Sequence, residues 1–160
     1  MNMLIKCPFY NSALQWVFRL ALMVLGTVGL FFFNVWVAVA YLIYYVAFFF
    51  VLMPLIHCQY CYYRVKETTK DGKKGLLPKE KWKDCYLQKH VKCGKKWSVN
   101  FFISWFLPIV LISISLFLSF SIFALISLIG FIVVLAVSLI HMRRKVCPTC
   151  AIMEECHAAF

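Results

Sequence analysis

The chain has 160 residues, 64% of them apolar and 14% charged, with a net charge of +11. Soluble domains carry about a quarter charged residues, so this balance excludes an ordinary soluble fold and leaves room for one membrane domain. The charge is also sorted: of 17 Lys/Arg, all but Arg19 lie outside two long apolar blocks.

Residues 1–12 form a short N-terminal segment carrying Ile5-Lys6-Cys7-Pro8, suited to lying along a membrane interface. The first apolar block spans residues 13–56. As one helix it would reach roughly 66 Å, about twice the ~30 Å hydrocarbon core, so it must fold back once. Asn34 is the natural break, giving spans 13–33 and 35–56. Arg19 is the single formal charge in any span. It lies near the start of its span, where its long stem can snorkel back to the headgroups. Gly26 and Gly29 permit a close helix approach.

Residues 57–100 read as a wet, basic loop rich in Cys and His. It opens His57-Cys58-Gln59-Tyr60-Cys61, and within 57–97 it holds twelve Lys/Arg against four Asp/Glu. From Pro78 to Cys93 the pattern is helical, with Pro78 in the first turn and Gly94 just past the end. The second apolar block, 101–141, breaks near Ser119-Phe120-Ser121 into spans 101–118 and 122–141. Its serines can hydrogen-bond across helices and Pro108 can kink one. No Asp or Glu occurs in any span, so the carboxylate relays of proton- or cation-coupled transporters are missing. A Cys-rich tail, 142–160, follows.

These elements predict an all-α integral membrane protein of four transmembrane helices, arranged as two helical hairpins, with a Cys/His-rich loop and tail. Two tripeptide matches suggest a parallel internal duplication. Ile5-Lys6-Cys7 precedes one block as Val91-Lys92-Cys93 precedes the other, and Leu55-Ile56-His57 ends the first as Leu139-Ile140-His141 ends the second. With an even number of spans, both termini and the loop share one face. The excess of Lys/Arg there makes that face cytoplasmic by the positive-inside bias.

All eight cysteines lie on this face. In a reducing compartment, metal ligation or redox chemistry is favoured over structural disulfides. Cys58-x-x-Cys61 and Cys147-Pro148-Thr149-Cys150 are two knuckles. A two-residue gap lets one turn aim two thiolates at one ion, and two knuckles supply a tetrahedral site with zinc–sulfur distances near ~2.3 Å. Zinc in a structural role is the expected occupant, with an iron–sulfur cluster as the alternative. A second metal site is drawn from Cys7, Cys85, His90, Cys93 and Cys156. Cys85 and Cys93 stand ~12 Å apart along a helix, too far to share one ion. His90 and Cys93, three residues apart, are close enough.

Four spans with a Cys/His-rich loop between the second and third resemble, in outline, the protein S-acyltransferases of the DHHC type. The Asp-His-His-Cys tetrad of that family is absent, since His90 is followed by Val91-Lys92-Cys93, and no nucleophile is carried over. Neither a Ser/His/Asp set nor a carboxylate pair stands out, so catalysis is not the leading expectation. The sequence points instead to an accessory or docking subunit of a membrane complex. The second expectation is an electron-transfer or thiol-redox membrane component that uses the same cysteines. A third is soft-metal-ion handling. Expected partners are the bilayer, anionic lipid headgroups at the basic loop, and other membrane or acidic soluble subunits, with no nucleic acid.

Overall fold

A computed structural model describes residues 12–55, 60, 62, 65–68, 74–118 and 120–150. Four helices are long and apolar enough to cross a membrane: Ala13–Phe31, Val35–Leu52, Ser98–Leu118 and Ile122–Thr149. Helix α1 (Ala13–Phe31) begins at Ser12, whose hydroxyl accepts from the Gln15 N–H. The chain turns back within three residues. Asn34 is extended, and its Oδ1 accepts from the Trp36 N–H at 2.8 Å, capping α2 (Val35–Val46). Helix α2 widens into a π-helical turn over Ala47–Leu52 and continues to Leu55. Two short strands, β1 (Lys66–Thr68) and β2 (Lys74–Leu76), pair antiparallel with Glu67 opposite Gly75. They are the one departure from all-α character among the described residues.

Helix α3 (Lys79–Leu118) is continuous for 40 residues, roughly 60 Å. This corrects the expectation that the helix beginning at Pro78 ends at Gly94. A mid-helix glycine costs about 1 kcal/mol, too little to break a helix anchored by packing on both sides. Only Ser98–Leu118, roughly 32 Å, is apolar enough to cross a membrane, so residues 79–97 stand outside it. Helix α4 (Ile122–His141) starts at extended Ser121, as the expected break near 119–121 requires. It runs on through a π-helical turn at Met142–Val146 and a 3-10 turn at Cys147–Thr149. The whole stretch is roughly 42 Å long, so its end, with exposed Arg143, Arg144 and Lys145, projects past a ~30 Å core.

Helix α1 packs against α2 and α4, and α3 packs against α4 and α1. The shared core includes Leu22 and Leu30 of α1, Tyr41 of α2, Phe101 and Ile112 of α3, and Phe131 of α4. Small residues set the spacing. A Cβ on Gly26 would strike the Tyr41 ring, and one on Gly29 would strike the Ile112 side chain. On the opposite face of α1, Leu14, Val17, Leu20, Val24 and Val28 point outward, as a helix flanked by lipid requires.

Pro108 lies buried inside α3. Having no N–H, it leaves the carbonyl of Ser104, four residues back, without its helical donor. The Tyr41 hydroxyl of α2 donates to that carbonyl at 3.3 Å. A neighbouring helix thus supplies what the proline removes. Tyr41→Phe should therefore lower the detergent melting temperature, at a cost of about 1–3 kcal/mol for an orphaned buried carbonyl. In a Pro108→Ala background, which restores the intrahelical donor, the same change should cost little. Equal losses in both backgrounds would contradict this assignment.

Several polar groups of the apolar helices, among them Gln15, Arg19, Ser104 and Ser138, are buried inside the bundle. Arg19 is only 5% exposed, with its guanidinium 5.2 Å from the Trp16 ring centroid, and its carbonyl accepts from the Tyr45 hydroxyl at 3.1 Å. The snorkelling expectation is corrected, because an aromatic face within the bundle receives the cation. The serines divide. Ser138 reaches across to Gln15 on α1, whereas Ser104 and Ser113 bond back to carbonyls of their own helix. Gln15, 2% exposed, also places its amide nitrogen 3.1 Å from His141 Nδ1, joining α1 to the end of α4.

Candidate metal centre around Trp82

Outside the apolar segments, the N-terminal turns of α3 carry a second, smaller core. Trp82 is completely buried, packed with Leu77 and surrounded by Tyr62, Val65, Tyr86, Leu87 and Cys150. The helical period explains the face: Trp82, Tyr86 and His90 recur every fourth residue and share one side of α3. His90 sets its ring edge-on to Trp82 with centroids 5.8 Å apart. Burial holds the His90 imidazole below its ordinary range, so it is neutral at neutral pH.

Two distant pieces of chain meet at this tryptophan. The indole Nε1–H donates to the Tyr60 carbonyl at 3.1 Å. Tyr60 lies in the Cys58-x-x-Cys61 motif, immediately before Cys61. From the other direction, Cys150 arrives on the turn that ends the α4 extension and packs against the same cluster. That turn is compact: the Cys150 N–H donates to the Cys147 carbonyl at 3.0 Å, and the Thr149 hydroxyl donates to the Val146 carbonyl at 2.8 Å. Pro148 presets it. Tyr60 and Thr149, the residues before the second cysteine of each motif, share the 3-10 conformation.

Cys147 and Cys150 are both free thiols of intermediate exposure. Burial pushes the Cys147 thiol up and the neighbouring Cys150 adds to this, while Arg143 opposes it. This is the reverse of the depressed pKa that marks a reactive redox cysteine.

Of the expected first set, Cys147 and Cys150 are thus adjacent, whereas Cys58 and Cys61 lie outside the described residues, as does His57. Of the second set, Cys7 and Cys156 lie outside the described residues, and Cys93 is within α3 without a described side chain. Cys85 is exposed, while His90, five residues on, turns into the buried cluster. Among the described residues no three His, Cys, Asp or Glu side chains gather into a metal-holding group. Trp82 itself was not singled out by the sequence. The signal was there, in a Trp-x3-Tyr-x3-His face between lysines.

The chain matches no protein-family model, no curated protein and no solved structure.

Proposed function

We propose that this is a four-span membrane protein whose cytoplasmic face is fastened by a zinc ion held by Cys58, Cys61, Cys147 and Cys150, and that it acts as an accessory or docking subunit of a membrane complex. The observation behind this is the Trp82 cluster: the indole bonds the backbone of one motif through Tyr60, and the cluster that Trp82 forms with Leu77 packs against the last cysteine of the other. Four thiolates suit zinc in a structural, closed site. Burial holds the Cys147 thiol above its ordinary range, which supports a structural site over a dithiol redox pair built on a low-pKa cysteine.

The four spans are proposed to form two helical hairpins, 13–56 and 101–141, joined through the cytoplasmic module. The contact of α1 with α2 and of α3 with α4 supports that pairing. The parallel duplication has weaker support, since the π-helical turns begin at Ala47 and Met142, farther apart than the offset of the tripeptide matches. The positive-inside bias supports placing both termini on the cytoplasmic side, beside Arg143, Arg144 and Lys145. The spans lack the carboxylates expected of proton- or cation-coupled transporters, which supports an assembly role over transport of that kind.

Elemental analysis of anaerobically purified protein tests the reading. It should give colourless protein with about one zinc per chain. Brown protein containing iron and sulfide would replace zinc by a cluster, and metal-free protein would remove the site.

A further inference from the structure

A different surface flanks the Trp82–Tyr86–His90 face of α3. Lys81, Cys85, Gln88, Lys89 and Lys92 recur at spacings of three or four and are all exposed. They form one basic stripe along the part of the helix that precedes Ser98. The stripe belongs to the element that carries Trp82, so the module fixes its direction.

Two occupants have the complementary charge, anionic lipid and an acidic protein, and the rigid helix separates them. Placing Ser98 at the edge of the hydrocarbon core puts Lys92 roughly 9 Å, Lys89 ~14 Å and Lys81 ~26 Å along the helix from that edge. Even at a tilt of about 40°, the steep end of the usual range, Lys81 stands ~20 Å above it. Headgroups occupy the first ~5–8 Å, and the lipid field decays over a Debye length of ~8 Å. Lys92 is within reach of lipid; Lys81 is not. The Lys89 ammonium lies 5.8 Å from the centre of the Tyr86 ring, three residues farther from the membrane, so it leans away from the bilayer as well. A membrane-parallel occupant would use only the lowest turn.

We infer that the Lys81–Lys89–Lys92 stripe of α3 is a docking surface for an acidic segment of a partner protein. This rests on the proposed docking role and names the surface and the chemistry of its partner. A carboxylate-rich helix or extended strand lying along α3 would meet all three lysines at once, and Gln88 and Cys85 between them leave the centre uncharged.

The test uses full-length protein in phosphatidylcholine nanodiscs and a fluorescent poly-glutamate peptide. Three rim charge pairs predict about a tenfold rise in Kd for the Lys81→Gln/Lys89→Gln/Lys92→Gln variant. Arg143→Gln/Arg144→Gln/Lys145→Gln, which removes the same charge elsewhere, should leave Kd unchanged. Acetylation of Lys81 and Lys89 by a soluble reagent, followed by mass spectrometry, should be slowed by the peptide and unaffected when phosphatidylserine is added. Equal Kd changes in the two variants, no change in either, or protection by phosphatidylserine in place of the peptide would overturn the proposal. Zinc is measured in every sample, so failed docking with zinc intact counts against this surface alone.

Discussion

Trp82→Ala is expected to unfold the module at the start of α3 while the four apolar helices stay folded. The indole is completely buried against Leu77 and edge-on to His90 and Tyr62. Removing such a side chain costs about 3–5 kcal/mol through lost burial and the cavity left behind. The Tyr60 carbonyl would also lose its indole donor. A module with so small a core has little stability to spare, whereas the bundle core lies on other residues. Hydrogen exchange in detergent should therefore show amides 79–92 losing protection, with those of α1, α2 and α4 keeping theirs. Uniform loss of protection across the chain, or none, would show that Trp82 does not hold a separate unit together. Trp82→Phe should fall between, since it keeps most of the burial and loses the hydrogen bond.

Cys150→Ser is expected to remove most of the bound zinc and to loosen the same amides. In the proposed site each thiolate is a quarter of the coordination shell, and structural zinc contributes about 10–16 kcal/mol of binding in small domains. A hydroxyl is a far poorer ligand than thiolate for this ion. Cys58→Ser should match Cys150→Ser in zinc content, because each knuckle needs the other. Cys85→Ser should not differ from wild type, since its side chain is exposed and is not one of the four proposed ligands. Zinc retained in both Cys58→Ser and Cys150→Ser would dissolve the shared site. Loss in Cys150→Ser with full zinc in Cys58→Ser would move the ion to a different ligand set. Wild-type protein treated with a chelator should reproduce the Cys150→Ser hydrogen-exchange pattern, whereas a variant looser than chelated wild type would show a folding defect beyond metal loss.

The parts of the fold that were legible in the sequence are those set by a single strong constraint. Bilayer thickness forces each apolar block to turn back, and Asn34 marks the first turn because its side chain can cap the helix that follows. The break near Ser121 was legible for the same reason of length. Gly94 misled because propensity is local and α3 is stabilised at both of its ends, by Trp82 on one side and by Phe101 and Ile112 on the other. Pro108 was visible as a break in hydrogen bonding, but the donor that repairs it, Tyr41, comes from another helix and leaves no local trace. Arg19 was read by its depth alone, while in the bundle it is buried beside the Trp16 ring. The candidate site divides in the same way. Motif spacing exposed the two thiol pairs. The cluster between Tyr60 and Cys150, with the Trp82 indole bonded to the Tyr60 carbonyl and Cys150 packed against the Leu77–Trp82 pair, rests on tertiary contacts with no periodic signature.

The most direct measurement is thiol footprinting of zinc-replete protein in nanodiscs, with alkylation followed peptide by peptide before and after chelation. Cys58, Cys61, Cys147 and Cys150 should be protected together and become reactive together when zinc is withdrawn, while exposed Cys85 reacts throughout. Alkylation of Cys58 and Cys61 while zinc still shields Cys147 and Cys150 would show that the two motifs do not share an ion.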